Sequence, residues 1–377
     1  MTYENKHHDG QPAQARHRSR FRRATVVAGL AASAALLCAA AVPALAATGT
    51  TPHASGVSGH AAASAGEASS AAQRAVAYWT RSRMLSARNG STATAGSTPY
   101  AHAAPIRASG PAGHVAGAAA DESVPGSSQR IATPARLGAT PMTGSVGSPW
   151  TGGSYLPPAT TTGKVFFTTH NGENWVCSGS TVNTNGKDSV ITAGHCVYGS
   201  MGGEVPGEGW HTNWVFVPDY SNGYAPYGVW TARQLWTLTN YVNNQDEGDD
   251  IGAVVVNTNA YGQHIVNVVG GQGFSWNWPA SEYVYNFGYP AAAPFNGQAL
   301  QYCNGSEFSW SGISSTMGLA CNFTGGSSGG PWLMSFGGEF GYINGVNDFG
   351  YSSRPGYIFS AYFGNNAEAL YNSIANL

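Results

Sequence analysis

His195, inside Thr192-Ala193-Gly194-His195-Cys196, and Ser328, inside Gly326-Ser327-Ser328-Gly329-Gly330-Pro331, are the residues whose types and settings could do chemistry together. A serine hydroxyl is a poor nucleophile until an adjacent base takes its proton, and the base needs a third group to hold its tautomer. The pair therefore points to acyl transfer by an activated serine and demands a carboxylate elsewhere. Asp250 is the best placed. It opens Asp250-Ile251-Gly252-Ala253-Val254-Val255-Val256, a polar residue leading into an apolar, strand-like run that would bury it. Asp246, Glu247 and Asp249 read as a solvated acidic loop, with Asp249 the alternative if the register differs by one. His170, His211 and His264 are assigned to loops or surface.

A Gly-Ser-Gly cluster alone is a weak signal in a chain with 51 glycines, so order along the chain decides. Ser328 also satisfies Gly-x-Ser-x-Gly, but the α/β-hydrolase layout takes its histidine from downstream of the serine. No histidine follows His264. A subtilisin-like order needs an aspartate ahead of the histidine. Asp188, on a strand running straight into His195, is badly spaced for that role. The order His195, Asp250, Ser328 remains. With the segments TAGHC, DIGA and GGSSGGP it resembles the chymotrypsin family, in particular its secreted bacterial branch of glutamyl-endopeptidase-like enzymes. The resemblance covers about Gly153 to Leu377. Phe216-Val217-Pro218 followed by Pro226-Tyr227-Gly228, and Phe287-Gly288-Tyr289-Pro290, are similar to that branch as well.

The elements that must position these residues read as β-strands. Short runs rich in β-branched and aromatic residues fall at 164–169, 175–182, 189–192, 214–217, 229–235 and 251–256, punctuated by Gly and Asn. A second set falls at 283–287, 300–302, 331–334, 341–346 and 357–360. The expected fold is all-β, two antiparallel six-stranded Greek-key β-barrels of the chymotrypsin-like kind, the first about 155–265 and the second about 266–377. A short C-terminal helix closes it, with Asn366 as its cap and Leu370, Ile374 and Leu377 on one face.

Charge divides the 377 residues in two. Residues 1–147 carry 13 Lys and Arg against 5 Asp and Glu, while 148–377 carry 4 against 14, a balance of +8 and then −10. The acidic part is expected to be the catalytic domain, and its charge argues against nucleic acid as a partner. Residues 1–46 read as a signal peptide, with arginines from Arg16 to Arg23, an apolar stretch from Ala24 to Val42 and Ala44-Leu45-Ala46 at the cut. No stable membrane anchor is expected, so the product is secreted. Residues 47–147 are Ala, Gly, Ser, Thr and Pro with few aromatics, and so cannot offset their ordering entropy. They are expected to form a propeptide or disordered leader, with a short helix around 71–85 and a folded prodomain as the sharper alternative.

The resemblance carries further implications. After loss of Cys38, it pairs Cys177 with Cys196 and Cys303 with Cys321. It makes Gly326 and Ser328 the backbone donors of an oxyanion hole, and it puts Asn322 and Asn347 forward as specificity-pocket residues. Asn322, where a trypsin-like enzyme has Asp, disfavours a strict Lys or Arg preference, and Asp348 would repel an acidic substrate side chain. Arg130-Ile131 is similar to the family's activation bond, yet Ser327 stands where the partner aspartate of that switch would be. No Cys-x-x-Cys or His-Glu-x-x-His spacing occurs, so neither metal nor cofactor is expected. The implied activity is serine endopeptidase on protein or peptide substrates, by a monomer. A catalytically silent binding homologue and an esterase using the same triad are the alternatives.

Overall fold

The computed structural model describes residues 51–52, 56–64, 66–89, 93–94, 106–121, 123, 146–199, 209–313, 315–351 and 354–377. These fall in one unit running from Ala46 to Leu377. The expected signal peptide at 1–46, with Cys38, and the Arg130-Ile131 bond lie outside the described residues.

Six strands form the first half: β1 (Thr162–Thr168), β2 (Asn174–Val182), β3 (Ser189–Thr192), β4 (Thr212–Pro218), β5 (Trp230–Leu238) and β6 (Gly252–Val256). They pair antiparallel in the order β5-β4-β1-β2-β3-β6, and β5 pairs with β6 to close the barrel. Side chains alternate between the faces of a strand. Because β1 is buried along its whole length, both of its faces are covered.

The second half contains β7 (Tyr283–Gly288), β8 (Gln301–Ser306), β9 (Thr316–Ala320), β10 (Pro331–Met334), β11 (Tyr342–Val346) and β12 (Tyr357–Ala361). Its hydrogen bonds run in two groups, β8-β7-β10-β11 and β9-β12. One apolar core joins the groups, with Val284, Cys303, Trp332 and Met334 from the first and Met317, Leu319 and Ile358 from the second. The strands at Gly273–Trp276, Phe308–Trp310 and Thr316–Ala320 were not expected. Their glycines and polar residues hide the alternation. Gly318, for instance, leaves room for the Phe308 ring, which a Cβ there would meet at 2.3 Å.

The closing helix, α1 (Asn365–Ile374), buries Ala367, Leu370, Tyr371 and Ile374. Its cap differs from the expectation. Gly364 is the N-cap residue, while Asn366 lies inside the helix and donates its side-chain N–H to Asp249 Oδ1 at 2.7 Å.

The leader is not structureless where it is described. Its strand Val57–Ala61 pairs antiparallel with the Gln234 to Leu238 edge of β5, and its helix Ala68–Tyr78 leads to Trp79, which is 3% exposed. The Trp79 ring lies 5.3 Å from Phe166 of β1, and its Nε1–H donates to Asn213 O at 2.5 Å. Farther on, Gly113–Val115 pairs antiparallel with Gly273–Trp276, and Ala118 and Gly271 exchange two backbone bonds of 2.8 Å. Ala93–Thr94 pairs parallel with Gly350–Tyr351. Among the described leader residues, Val57, Ala75, Trp79 and Met84 join the core of the barrel. These few apolar residues complete its flank.

Glu307, just past β8, is buried, and its two carboxylate oxygens accept from Asn344 Nδ2 at 3.0 and 3.1 Å. Burial pushes its pKa up to about 8, so the folded chain holds a proton there that the unfolded chain releases near the ordinary 4.5. Stability from this site is therefore full below about pH 4.5 and is lost as pH rises through about 8. Thermal unfolding from pH 4 to pH 9 should find Glu307→Gln matching the parent at the acid end and exceeding it by on the order of 4 kcal/mol at the alkaline end.

Candidate active site

His195 sits in a 3-10 turn, Gly194–Cys196, at the end of β3, and Asp250 sits in the link between a second turn, Glu247–Asp249, and β6. Because β3 and β6 are paired neighbours, with Gly252 opposite Thr192, the two residues meet. Asp250 Oδ1 accepts the His195 backbone N–H at 2.8 Å, and Asp250 Oδ2 lies 2.7 Å from His195 Nδ1. An acceptor-only carboxylate at Nδ1 places the proton there and leaves Nε2 as the basic nitrogen. The approach depends on Gly194, where a Cβ would stand 2.8 Å from Asp250 Oδ1 and 2.9 Å from Thr237 Oγ1. Asp249 faces elsewhere, taking N–H groups from Asn240 at 2.6 Å and Asn366 at 2.7 Å.

Ser328 lies in the turn that leads into β10, and that turn is docked on the first barrel through Ser178 of β2. Ser178 N–H donates to Ser328 O at 2.6 Å, and Ser178 Oγ donates to Gly326 O at 2.9 Å. Thr192, three residues before His195, donates its hydroxyl to Ser178 O at 2.8 Å. One short stretch of β2 thus touches both the serine turn and the strand that presents the histidine. Cys177 next to it is bonded to Cys196, with Cα atoms 6.2 Å apart, and Cys303 is bonded to Cys321 at 5.9 Å. Both are the pairs implied by the resemblance. Ser328 is 1% and His195 8% exposed, and Ser328 Oγ has no hydrogen-bond partner among the described residues. Neither Gly326 nor Ser328 spends its N–H on a backbone acceptor among those residues.

The specificity candidates separate. Asn347 is fully buried, and its side chain is committed internally, accepting from Asn286 and Trp332 at 2.8 Å and donating to Ser327 O at 3.0 Å and Phe287 O at 3.4 Å. Asn322 is half-buried and accepts from Gly147 N–H at 2.7 Å. Asp348, expected beside the substrate, is instead sealed inside at 1% exposure and accepts from Ala361 N–H at 2.5 Å.

His211 departs from its expected place on a loop or the surface. It is buried, stacked on Phe167 with ring centres 4.3 Å apart, and burial drives its pKa down to about 3. A neutral ring facing a carbonyl can only donate, so its Nε2–H supports His195 O at 2.9 Å. No motif surrounds Gly209-Trp210-His211, and its burial is a tertiary fact without a sequence trace. His264, with 46% of its side chain exposed, pairs with Asp188 at 2.7 Å, which commits Asp188 away from His195.

No family model matches the chain. Among solved structures, the protease Anisep from Arthrobacter nicotinovorans aligns with a TM-score of 0.53 and 41% identity over 58% of this chain and 97% of its own. The thermostable serine protease AL20 from an extremophilic microorganism aligns with 0.53 and 38% identity, again over 58% and 97%. The chain belongs to the chymotrypsin-like serine protease family. Among curated proteins, an extracellular metalloprotease of Bacillus subtilis (strain 168) is 30% identical over 81 residues, and the match spans 22% of this chain and 23% of that relative's length.

Gly329 is the turn's tightest point. Its φ of +79° disfavours any side chain, and a Cβ would stand 2.0 Å from Thr192 Oγ1 and 2.4 Å from Ser178 O. Gly329→Ala should lower stability by on the order of 2 kcal/mol or more and displace the serine turn, visible as a lower Tm in calorimetry.

Proposed function

We propose that this chain is a secreted serine endopeptidase that hydrolyses peptide bonds through His195, Asp250 and Ser328 and an acyl-enzyme intermediate. The observation that carries the reading is the double grip of Asp250 on His195, at the backbone N–H and at Nδ1. It holds the ring in one orientation and one tautomer, as a general base for serine requires. Ser328 Oγ attacks the scissile carbonyl, and His195 Nε2 takes its proton and returns it to the leaving amine. The imidazolium formed between these steps is stabilised by Asp250. The N–H groups of Gly326 and Ser328 meet the oxyanion, each worth roughly 2.7–4 kcal/mol where such a donor has been removed in other enzymes.

Residues 47–147 act as a propeptide in this reading and 148–377 as the protease domain. Two facts support it. The solved relatives match 58% of this chain at 97% of their own length, and the described leader segments pair with strands of both halves. With the leader in place, Ser328 is 1% and His195 8% exposed. In full-length protein, Ser328 should react slowly with a fluorophosphonate, and cleavage near residue 147 should speed the reaction. Equal rates in the two forms would remove the propeptide reading.

Fluorophosphonate labelling followed by peptide mapping tests the chemistry without assuming a substrate. The processed enzyme should carry the label on Ser328, with none in Ser328→Ala or His195→Ala. Asp250→Asn should cut kcat by on the order of 10⁴-fold through the wrong tautomer. Asp249→Asn should leave kcat nearly intact, and the reverse pattern would transfer the role to Asp249.

A further inference from the structure

Asp348 is a buried acid that the mechanism above does not use. It follows β11, its backbone N–H donates to Phe359 O at 2.9 Å, and its Oδ2 accepts from Ala361 N–H at 2.5 Å. Both partners belong to β12, and β12 packs against the turn Glu247–Asp249 that delivers Asp250. Asp348 therefore lies where the second half of the molecule meets the Asp250 segment. Its other oxygen, Oδ1, is buried and receives no hydrogen bond among the described residues. A buried carboxylate with a single donor is poorly compensated for the water it has lost. The charges that act on it, Asp250 and Glu247, are both negative. Burial first, and the Asp250 charge next, hold its carboxyl well above the usual carboxylate range.

We infer that Asp348 is a positioning residue that works as a neutral carboxylic acid near the His195–Asp250 pair, with its Oδ2 holding β12, the strand that packs on the turn before Asp250. A second ionised carboxylate at this position would stabilise imidazolium and raise the pH at which His195 becomes a free base. Kept neutral, Asp348 braces the segment without adding that charge, so the acid limb of the activity profile reports on Asp250 and His195 alone. The inference rests on reading Asp250 as the orienting carboxylate.

The test compares Asp348→Asn and Asp348→Ala with the parent in kcat, KM and the pH dependence of kcat/KM. Asn keeps a neutral acceptor for Ala361 N–H, so kcat should stay within about threefold and the acid-limb midpoint should not move. Ala removes the brace and should lose about tenfold or more in kcat with KM little changed. An acid limb that falls by about one unit in Asp348→Asn would mean that Asp348 is ionised in the working enzyme, and would overturn the inference. So would full activity in both variants. If Ala fails to fold, an infrared difference spectrum of parent against Asp348→Asn decides. The carbonyl stretch of a protonated carboxylic acid should be present at neutral pH in the parent and missing in the variant, and its absence from the parent sinks the idea. Fluorophosphonate labelling of the parent separates the two readings. No label at Ser328 removes the reading of the triad, whereas labelled parent with a shifted Asp348→Asn profile removes only the role of Asp348.

Discussion

The junction at Ser178 is the constraint on which the site depends. The histidine and aspartate are contributed by the first half of the molecule and the serine by the second, so no single sheet can set their geometry. Ser178 joins them with two bonds into the serine turn, through its backbone N–H and its hydroxyl, and its Oγ in turn accepts from Tyr289 N–H at 2.9 Å. Its carbonyl receives Thr192, and the neighbouring Cys177 is tied covalently to Cys196. A buried hydroxyl with both roles filled is rigid, and losing one partner leaves an unpaired polar group where water does not reach. The turn glycines follow from this closeness. Gly329 meets Thr192 and Ser178 directly, so the absence of a side chain there is a demand of the junction as well as of the turn.

Around that junction the polar groups are specialised by their depth. Asp250 spends both oxygens on His195, Asp249 takes two asparagine donors, and His211, held neutral by burial, supports the carbonyl of His195. Lys164 is a further case. Its Nζ donates to Gly297 O at 2.7 Å between the rings of Phe166 and Tyr220, and burial brings its pKa down to about 7. The loop it supports also contains Ala291, whose N–H donates to Gly325 O at 2.7 Å beside the serine turn. A lysine in the wall of the first barrel thereby braces the ground on which the turn rests.

Much of this was legible in the sequence, for reasons that can be named. TAGHC and GGSSGGP are compact because the histidine and serine each need a short turn with small neighbours. Asp250 could be picked out because a polar residue opening Ile251 to Val256 must be buried with the strand it starts. The first barrel was the easier half, since its strands are long and rich in Val, Ile, Phe and Trp. The second was harder because Gly273 and Gly318 interrupt its strands to admit another backbone or a ring. Burial decided by distant partners could not be read at all. His211 beneath His195, Asp348 against Ala361, and Asn366 holding Asp249 in place of capping its helix all depend on contacts between different elements of the fold. The described leader segments are the same problem on a larger scale, since they pair with strands far along the chain.

Pairing of Val57–Ala61 with β5 also bears on how the protein behaves as a colloid. From Gln234 to Thr237, β5 is paired with β6 on one side and with the leader on the other. A form without the leader presents a row of unsatisfied N–H and C=O groups there, together with the apolar surface that Trp79 had covered. An open strand edge is a template for strand addition by another chain. The glycine at position 59, under which the Trp236 ring fits, makes the leader strand a close-fitting cover. In the full chain Val57–Ala61 occupies that edge and so closes it to strand addition.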